Sequence, residues 1–216
     1  MQDKMTVTIQ GISPMLLHNG RLANPLNEWA IALKEYTSKR NKTEADHAEM
    51  ARIEWYGSLY TDEDSRVCIP GENIESVMVD GAKKLRLGPR IKAGVISPGL
   101  WRIEYQGPKT PDEMWACGKF TDIRSVRIEK KRVMRARPIF REWRLTFDLL
   151  YMGLNKKEVL GALEAAGEQV GQRHPVDILH RPIGAADVRV GGEDGVADER
   201  LVEEGIADRG PRAARR

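Results

Sequence analysis

Side chains able to do chemistry are thinly spread along this chain, and the dense group of functional residues is basic. There are four histidines, His18, His47, His174 and His180. His18 stands at the end of a strand-like run, where an imidazole can act as a general base, with Lys83 or Lys84 available to stabilise developing negative charge. A lone histidine at a strand end more often hydrogen-bonds within its loop. His47 falls on an exposed helix face, and His174 and His180 have no third ligand at metal spacing. Asp62, Glu63 and Asp64 cluster in TDEDSR, and Asp112 and Glu113 follow a Thr-Pro turn. Turns favour such residues for backbone reasons, which makes solvated loops the expected role. Cys68 and Cys117 have neither disulfide nor zinc spacing. No GxxxxGK phosphate cradle and no GxSxG elbow occurs. The expectation is a non-enzyme with no cofactor and no metal.

Residues 124–144 contain Arg124, Arg127, Lys130, Lys131, Arg132, Arg135, Arg137, Arg141 and Arg144 against Glu129 and Glu142, a local charge of +7. Val126, Ile128, Val133, Met134 and Ile139 interleave with them, the pattern of an ordered strand pair. A second stretch, 83–109, holds Lys83, Lys84, Arg86, Arg90, Lys92, Arg102 and Lys109 against Glu104, a local charge of +6. Such a face either meets water or meets a polyanion, and each phosphate it neutralises releases counterions. The candidate nucleic-acid contacts are Lys83, Lys84, Arg86, Arg90, Lys92, Arg124, Arg127, Lys130, Lys131, Arg132, Arg135 and Arg137. Trp115, Phe120 or Phe140 would supply stacking platforms for a single strand.

The elements that must carry these residues follow from periodicity. Residues 5–12 alternate as a strand, with Val7 and Ile9 on one face. Asn24 and Pro25 predict a helix start, with Leu26, Trp29, Ala30, Leu33 and Tyr36 at helical spacing, and Thr43 predicts a second start. Pro70 precedes a clear helix carrying Ile74, Val77, Met78, Gly81, Ala82 and Leu85, which Gly88 is expected to stop. Trp101, Ile103 and Tyr105 alternate as a strand, and so do Trp143, Leu145, Phe147 and Leu149. Asn155 with Glu158 three residues on forms a capping box for a helix carrying Val159, Ala162, Leu163, Ala166 and Val170. All thirteen aromatic residues precede residue 152. From 172 onward the chain is rich in Ala, Gly, Arg, Asp, Glu and Val without a sustained period, and reads as a loosely ordered tail in which 186–190 alone alternates as a strand.

In order, this is the α+β pattern of a ferredoxin-like (RRM-like) βαββαβ core. It has a helical insertion at about 24–60 after the first strand, and a basic hairpin insertion at about 107–138. One domain over 1–171 and a tail over 172–216 are expected. With 41% hydrophobic and 31% charged residues, no apolar run nears the roughly 20 residues of a membrane helix. The opening MQDKMTVTIQG lacks a signal-peptide core, so a cytoplasmic location without membrane association is expected.

Three segments together resemble the RAMP superfamily, in particular the guide-RNA-binding backbone subunit of CRISPR effector complexes and its phage-encoded relatives. They are VTIQGISPMLLHNG, CIPGENIESVMVDGAKKLR and FTDIRSVRIEKKRVMRARPIFREW. In that family a strand ends in a Ser-Pro-like turn, and an Ile-Pro-Gly turn opens the first core helix. Ile69, Pro70 and Gly71 stand at that place. The third segment would be the thumb hairpin that folds over nucleic acid. Glu72 replaces the family's small polar residue, and the usual glycine-rich end near the last core strand is missing. The resemblance implies single-stranded guide RNA as ligand, copies of this chain assembled head to tail, and further effector subunits as partners; some relatives are ribonucleases with a histidine base, so it also offers a metal-independent RNA-processing endoribonuclease using His18 as the alternative. The alternative outside that family is a phage single-stranded-DNA-binding or structural protein.

Overall fold

Alternation of Met5, Val7 and Ile9 with polar neighbours builds the first strand, β1 (Asp3–Gly11). The structure, a computed structural model, describes residues 2–128, 131–170 and 186–190. After β1 come β2 (Met15–Leu16), a 3-10 turn (Gly20–Ala23), and the helices α1 (Glu28–Thr37) and α2 (Glu44–Ser58). Next are β3 (Cys68–Pro70), α3 (Gly71–Ala82), α4 (Gly88–Gly94), β4 (Val95–Ile96), β5 (Leu100–Glu104) and α5 (Pro111–Cys117). The remaining elements are β6 (Thr121–Ile128), β7 (Lys131–Phe140), β8 (Arg144–Tyr151), α6 (Lys156–Val170) and β9 (Ala186–Val190). The chain is thus mixed α+β, with six α-helices among the described residues and antiparallel sheets.

The larger sheet has the strand order β3-β5-β8-β1-β9, with β4 joining β8 beside Tyr151 and Leu150. Register places Met5 opposite Leu149, Val7 opposite Phe147 and Ile9 opposite Leu145, so one face is wholly apolar and buried. The other face is polar. Thr6 donates to Asp148 at 2.7 Å, Thr8 meets Thr146 at 3.0 Å, and Arg144 donates to Gln10 at 3.1 Å. Ile74, Val77, Met78 and Ala82 of α3 share the core with Val159, Ala162, Leu163 and Ala166 of α6. The expected capping box opens α6: Asn155 N–H donates to Glu158, and Glu158 N–H donates to Asn155 Oδ1, each at 2.9 Å.

α3 opens at Gly71 for a steric reason: its N–H donates to Gly99 O at 2.9 Å, and a Cβ there would overlap the Ser97 carbonyl oxygen. Gly81 allows the close approach of α3 to α6, since an added Cβ would fall 2.6 Å from Ala166 Cα. Alanine in mid-helix ordinarily gains up to about 1 kcal/mol over glycine. At this contact overpacking outweighs that gain, and Gly81→Ala is expected to destabilise by about 2 kcal/mol. Urea denaturation measures this; an unchanged or raised midpoint would mean that the two helices do not touch here.

Several local expectations are corrected. Asn24 and Pro25 do not start a helix: Asn24 Oδ1 accepts from Leu26 N–H in a turn, and Asn27 takes the cap of α1 by accepting from Trp29 N–H. Leu26 accordingly lies outside the helix and is exposed. Gly88 does not stop α3, which ends at Ala82; the chain turns through Arg86 at φ 58°, and Gly88 opens α4. The expected second start at Thr43 holds, as a capping box with Asp46. The strand-like run 186–190 is β9, which pairs with β1 from Gly11 to Val7. The rest of the expected tail lies outside the described residues.

The smaller sheet, of order β2-β7-β6, carries the basic hairpin. Both routes between the sheets, from β1 to β2 and from β7 to β8, pass Trp143. Its backbone carbonyl accepts from Gly11 N–H at 2.8 Å, its ring lies against Gly11, and its Nε1–H donates to Ser13 O at 2.9 Å.

Candidate nucleic-acid interface

β6 and β7 pair without interruption from Thr121 opposite Pro138 to Ile128 opposite Lys131, so side chains sort strictly onto two faces. One face carries Asp122, Arg124 and Val126 across from Arg137, Arg135 and Val133. The other carries Ile123, Ser125 and Arg127 across from Ala136, Met134 and Arg132.

The first face is largely neutralised and anchored. Arg124 pairs with Asp122, Nη2 to Oδ1 at 2.6 Å, and this hydrogen bond raises the guanidinium pKa. Arg135 pairs with Glu54 of α2, whose second oxygen accepts from Ala136 N–H at 3.0 Å. Arg137 is buried, its Nε has no hydrogen-bond partner, and burial followed by the neighbouring Arg135 lowers its pKa. Two of the nine basic charges in 124–144 are therefore balanced by acids outside that window. Neither acid was a candidate in the sequence: Glu54 reads as an ordinary charged residue of an amphipathic helix. Only the contact between α2 and β7 gives it a role.

On the second face Arg127 and Arg132 stand opposite each other and both are exposed. Ile123 and Met134 beside them are 55% and 59% exposed, a large apolar area for a solvated strand pair. Lys130 and the side chain of Lys131 lie outside the described residues. Arg141 donates to Lys119 O at 2.5 Å.

The second basic stretch is anchored elsewhere. Lys83, Lys84 and Arg86, in the turn after α3, and Arg90 and Lys92, on α4, are all exposed; α3 packs with α4, α6 and β4, whereas the hairpin packs on α2 and β2. Lys83 pairs with Asp80 at 2.7 Å, and Arg90 pairs with Glu158 while donating to Gly153 O at 2.9 Å. Lys92 borders a hollow of about 290 Å³ with Glu75, Asp80 and Ile91. Arg102 bridges Asp62 and Asp64, and Lys109 donates to Tyr105 O and sits 4.1 Å from that ring centre.

Two of the three expected stacking platforms lie in the core. Phe140 and Phe120 are buried and pack with Tyr105 at ring separations of 4.9 and 5.4 Å. Trp115 is half-buried against Trp55 at 5.4 Å. Aromatic spacing in sequence does not distinguish a core ring from a platform.

The candidate catalytic groups have structural partners. The His18 carbonyl accepts from Tyr60 at 3.2 Å, and the side chain is half-buried beyond β2. Asp62 Oδ1 accepts from the Asp64 and Arg66 amides, and Asp112 accepts from Tyr56 at 2.7 Å. Burial, aided by Asp62, pushes the Cys68 thiol up to about 11, which leaves it protonated at neutral pH. Among the described residues no group of three or more His, Cys, Asp or Glu side chains is placed to hold a metal. No described helix is long and apolar enough to cross a membrane. No protein-family model matches the chain, and a search of curated proteins finds no match.

Proposed function

We propose that this chain is a non-catalytic, single-stranded-RNA-binding subunit, with the exposed face of the β6–β7 hairpin as a contact surface. The observation that carries the reading is the Arg127 and Arg132 rung, exposed on a hairpin whose other face is fastened to α2. A positively charged strand pair of this kind neutralises phosphates without closing on bases. The core is read as ferredoxin-like: β9-β1-β8-β5 follows the 4-1-3-2 order, with α3 and α6 as its two helices. We read the chain as a RAMP-like cytoplasmic subunit that binds guide RNA alongside copies of itself and further effector subunits. The polar face of the large sheet has Thr6, Thr8, Thr146 and Asp148 where an RRM would stack bases, which leaves the hairpin as the better contact.

The test is fluorescence anisotropy of a labelled single-stranded RNA at several salt concentrations, with R127A/R132A against the unaltered chain. Arg135 and Arg137 are left in place because their removal would disturb the hairpin itself. Affinity at low salt should fall about tenfold or more, and the log–log salt slope should lessen by about 0.7 per lost contact. Equal affinity and slope in the two proteins would remove the hairpin face from the binding surface.

A further inference from the structure

We propose that the outer edge of β6 is a self-association surface, on which a second copy of this chain pairs antiparallel about a two-fold axis at Ile123. The two sheets end in four outer strands, β3 and β9 in the larger and β2 and β6 in the smaller. At eight residues β6 is the longest of them, against three, five and two for β3, β9 and β2. No described strand pairs with its outer side. An open edge presents N–H and C=O groups to another chain, and proteins guard such edges with proline, lysine, bulges or short strands. β6 reads TDIRSVRI, without proline or lysine, and its ladder with β7 runs from Thr121 to Ile128 without a bulge.

The ladder fixes which backbone groups the edge offers. Ile139 N–H donates to Phe120 O at 2.9 Å, so alternate residues from Phe120 onward turn their N–H and C=O toward β7. The groups of Thr121, Ile123, Ser125 and Arg127 point to the open side. Thr121 N–H already donates to Gly118 O at 3.4 Å, which leaves Ile123 and Ser125 as the donors for a pairing centred on Ile123. In that register the two Ile123 residues exchange both of their backbone hydrogen bonds, and each Ser125 N–H donates to Thr121 O of the other copy.

The side chains select this centre. With the axis at Ile123, Asp122 of each copy faces Arg124 of the other, at the positions without backbone hydrogen bonds, where side chains stand closest. The Asp122–Arg124 ion pair within each chain is thereby extended to an alternating set of four charges, and no group gives up its present partner. An axis at Asp122 or at Arg124 would set like charges face to face, and one at Ser125 would set Arg124 against Val126. Ile123, 55% exposed, meets its counterpart at the axis and is covered. The paired rungs are residues 121–125, because the chain enters β6 from a left-handed turn at Gly118, φ 68°. The contact is isologous. It joins the two small sheets into one, with the Arg127 and Arg132 rungs of both copies on the same side, and it needs no nucleic acid.

Disulfide trapping of the full-length, nuclease-treated chain tests the register. The exposed Cys117 is replaced by serine, and Ile123→Cys or Ser125→Cys is added. The two Ile123 Cα atoms would stand about 5.5 Å apart, within disulfide reach, and the two Ser125 Cα atoms about 14 Å apart. Under copper–phenanthroline oxidation I123C should run as a covalent dimer on a non-reducing gel, and S125C as a monomer. No dimer with I123C, or as much dimer with S125C, would overturn the proposal.

Sedimentation velocity of the unaltered chain should show a reversible dimer that strengthens with concentration. Ser125→Pro removes an N–H that faces the open edge and spares the β6–β7 ladder, so it should weaken the dimer at least about tenfold. A chain that sediments as a monomer at every concentration, or S125P that dimerises as tightly as the unaltered chain, would overturn the proposal. A monomer that binds polyuridylate leaves the RNA-binding reading standing without this contact; a dimer that does not bind it leaves the contact standing without that reading.

Discussion

Trp143→Ala is expected to destabilise the fold by about 4 kcal/mol, the range for emptying a large buried aromatic site. Trp143 is 1% exposed, and its ring covers Gly11, where an added Cβ would fall 2.7 Å from Cδ1. Its indole N–H holds Ser13 O at 2.9 Å, in the link between β1 and β2. The same residue lies between β7 and β8, so it fastens both crossings from one sheet to the other. The replacement opens a cavity at the joint and strands the Ser13 carbonyl. Trp143→Phe keeps a six-membered ring but gives up the pyrrole part and its hydrogen bond, and should cost about 2 kcal/mol. Urea or guanidinium denaturation separates the two variants. Equal losses for Ala and Phe would show that the hydrogen bond, and not ring packing, secures the joint; small losses for both would show that Trp143 does not secure it.

Glu54→Ala is expected to cost about 3 kcal/mol, because it strands two partners at once. Glu54 is 8% exposed, and its carboxylate meets both Arg135 and the Ala136 N–H. Ala136 is itself buried, so its amide has no ready access to water. Glu54→Gln keeps an acceptor for that amide and removes the charge opposite Arg135. It should lose roughly half as much. Hydrogen exchange at the Ala136 amide gives the local readout: protection should drop markedly in the alanine variant and persist in the glutamine variant. Undiminished protection in Glu54→Ala would mean that α2 does not hold the hairpin.

The consequence for binding follows from the same geometry. A hairpin released from α2 keeps Arg127 and Arg132 but not their placement, so Glu54→Ala should weaken RNA binding while leaving the number of phosphate contacts, and hence the salt slope, less affected than R127A/R132A does.

Much of the fold was legible because its signals are local. The alternation of Val7 and Ile9, the helix start at Thr43, the Asn155 capping box and the stripe from Ile74 to Ala82 each involve neighbours within one or two turns, where backbone geometry fixes which side chains share a face. The same locality explains the errors. Asn24 and Asn27 are both good helix caps, and choosing between them depends on where the 3-10 turn of residues 20–23 brings the chain. Gly88 looks like a stop signal and serves as the first residue of α4 because Arg86 takes the left-handed turn.

By itself the sequence determined a basic strand pair between two core strands, since charge and period-two alternation are properties of the chain. Which of its arginines face outward was decided only by tertiary structure. Arg124 and Arg135 are balanced by Asp122 and Glu54, and Arg137 is buried, whereas Arg127 and Arg132 are exposed. A charge counted along the chain becomes a field at a surface only after packing has chosen its neighbours, and Glu54 lies 81 residues from Arg135. The aromatic residues make the same point: Phe120 and Phe140 have the composition of a stacking platform and the environment of a core.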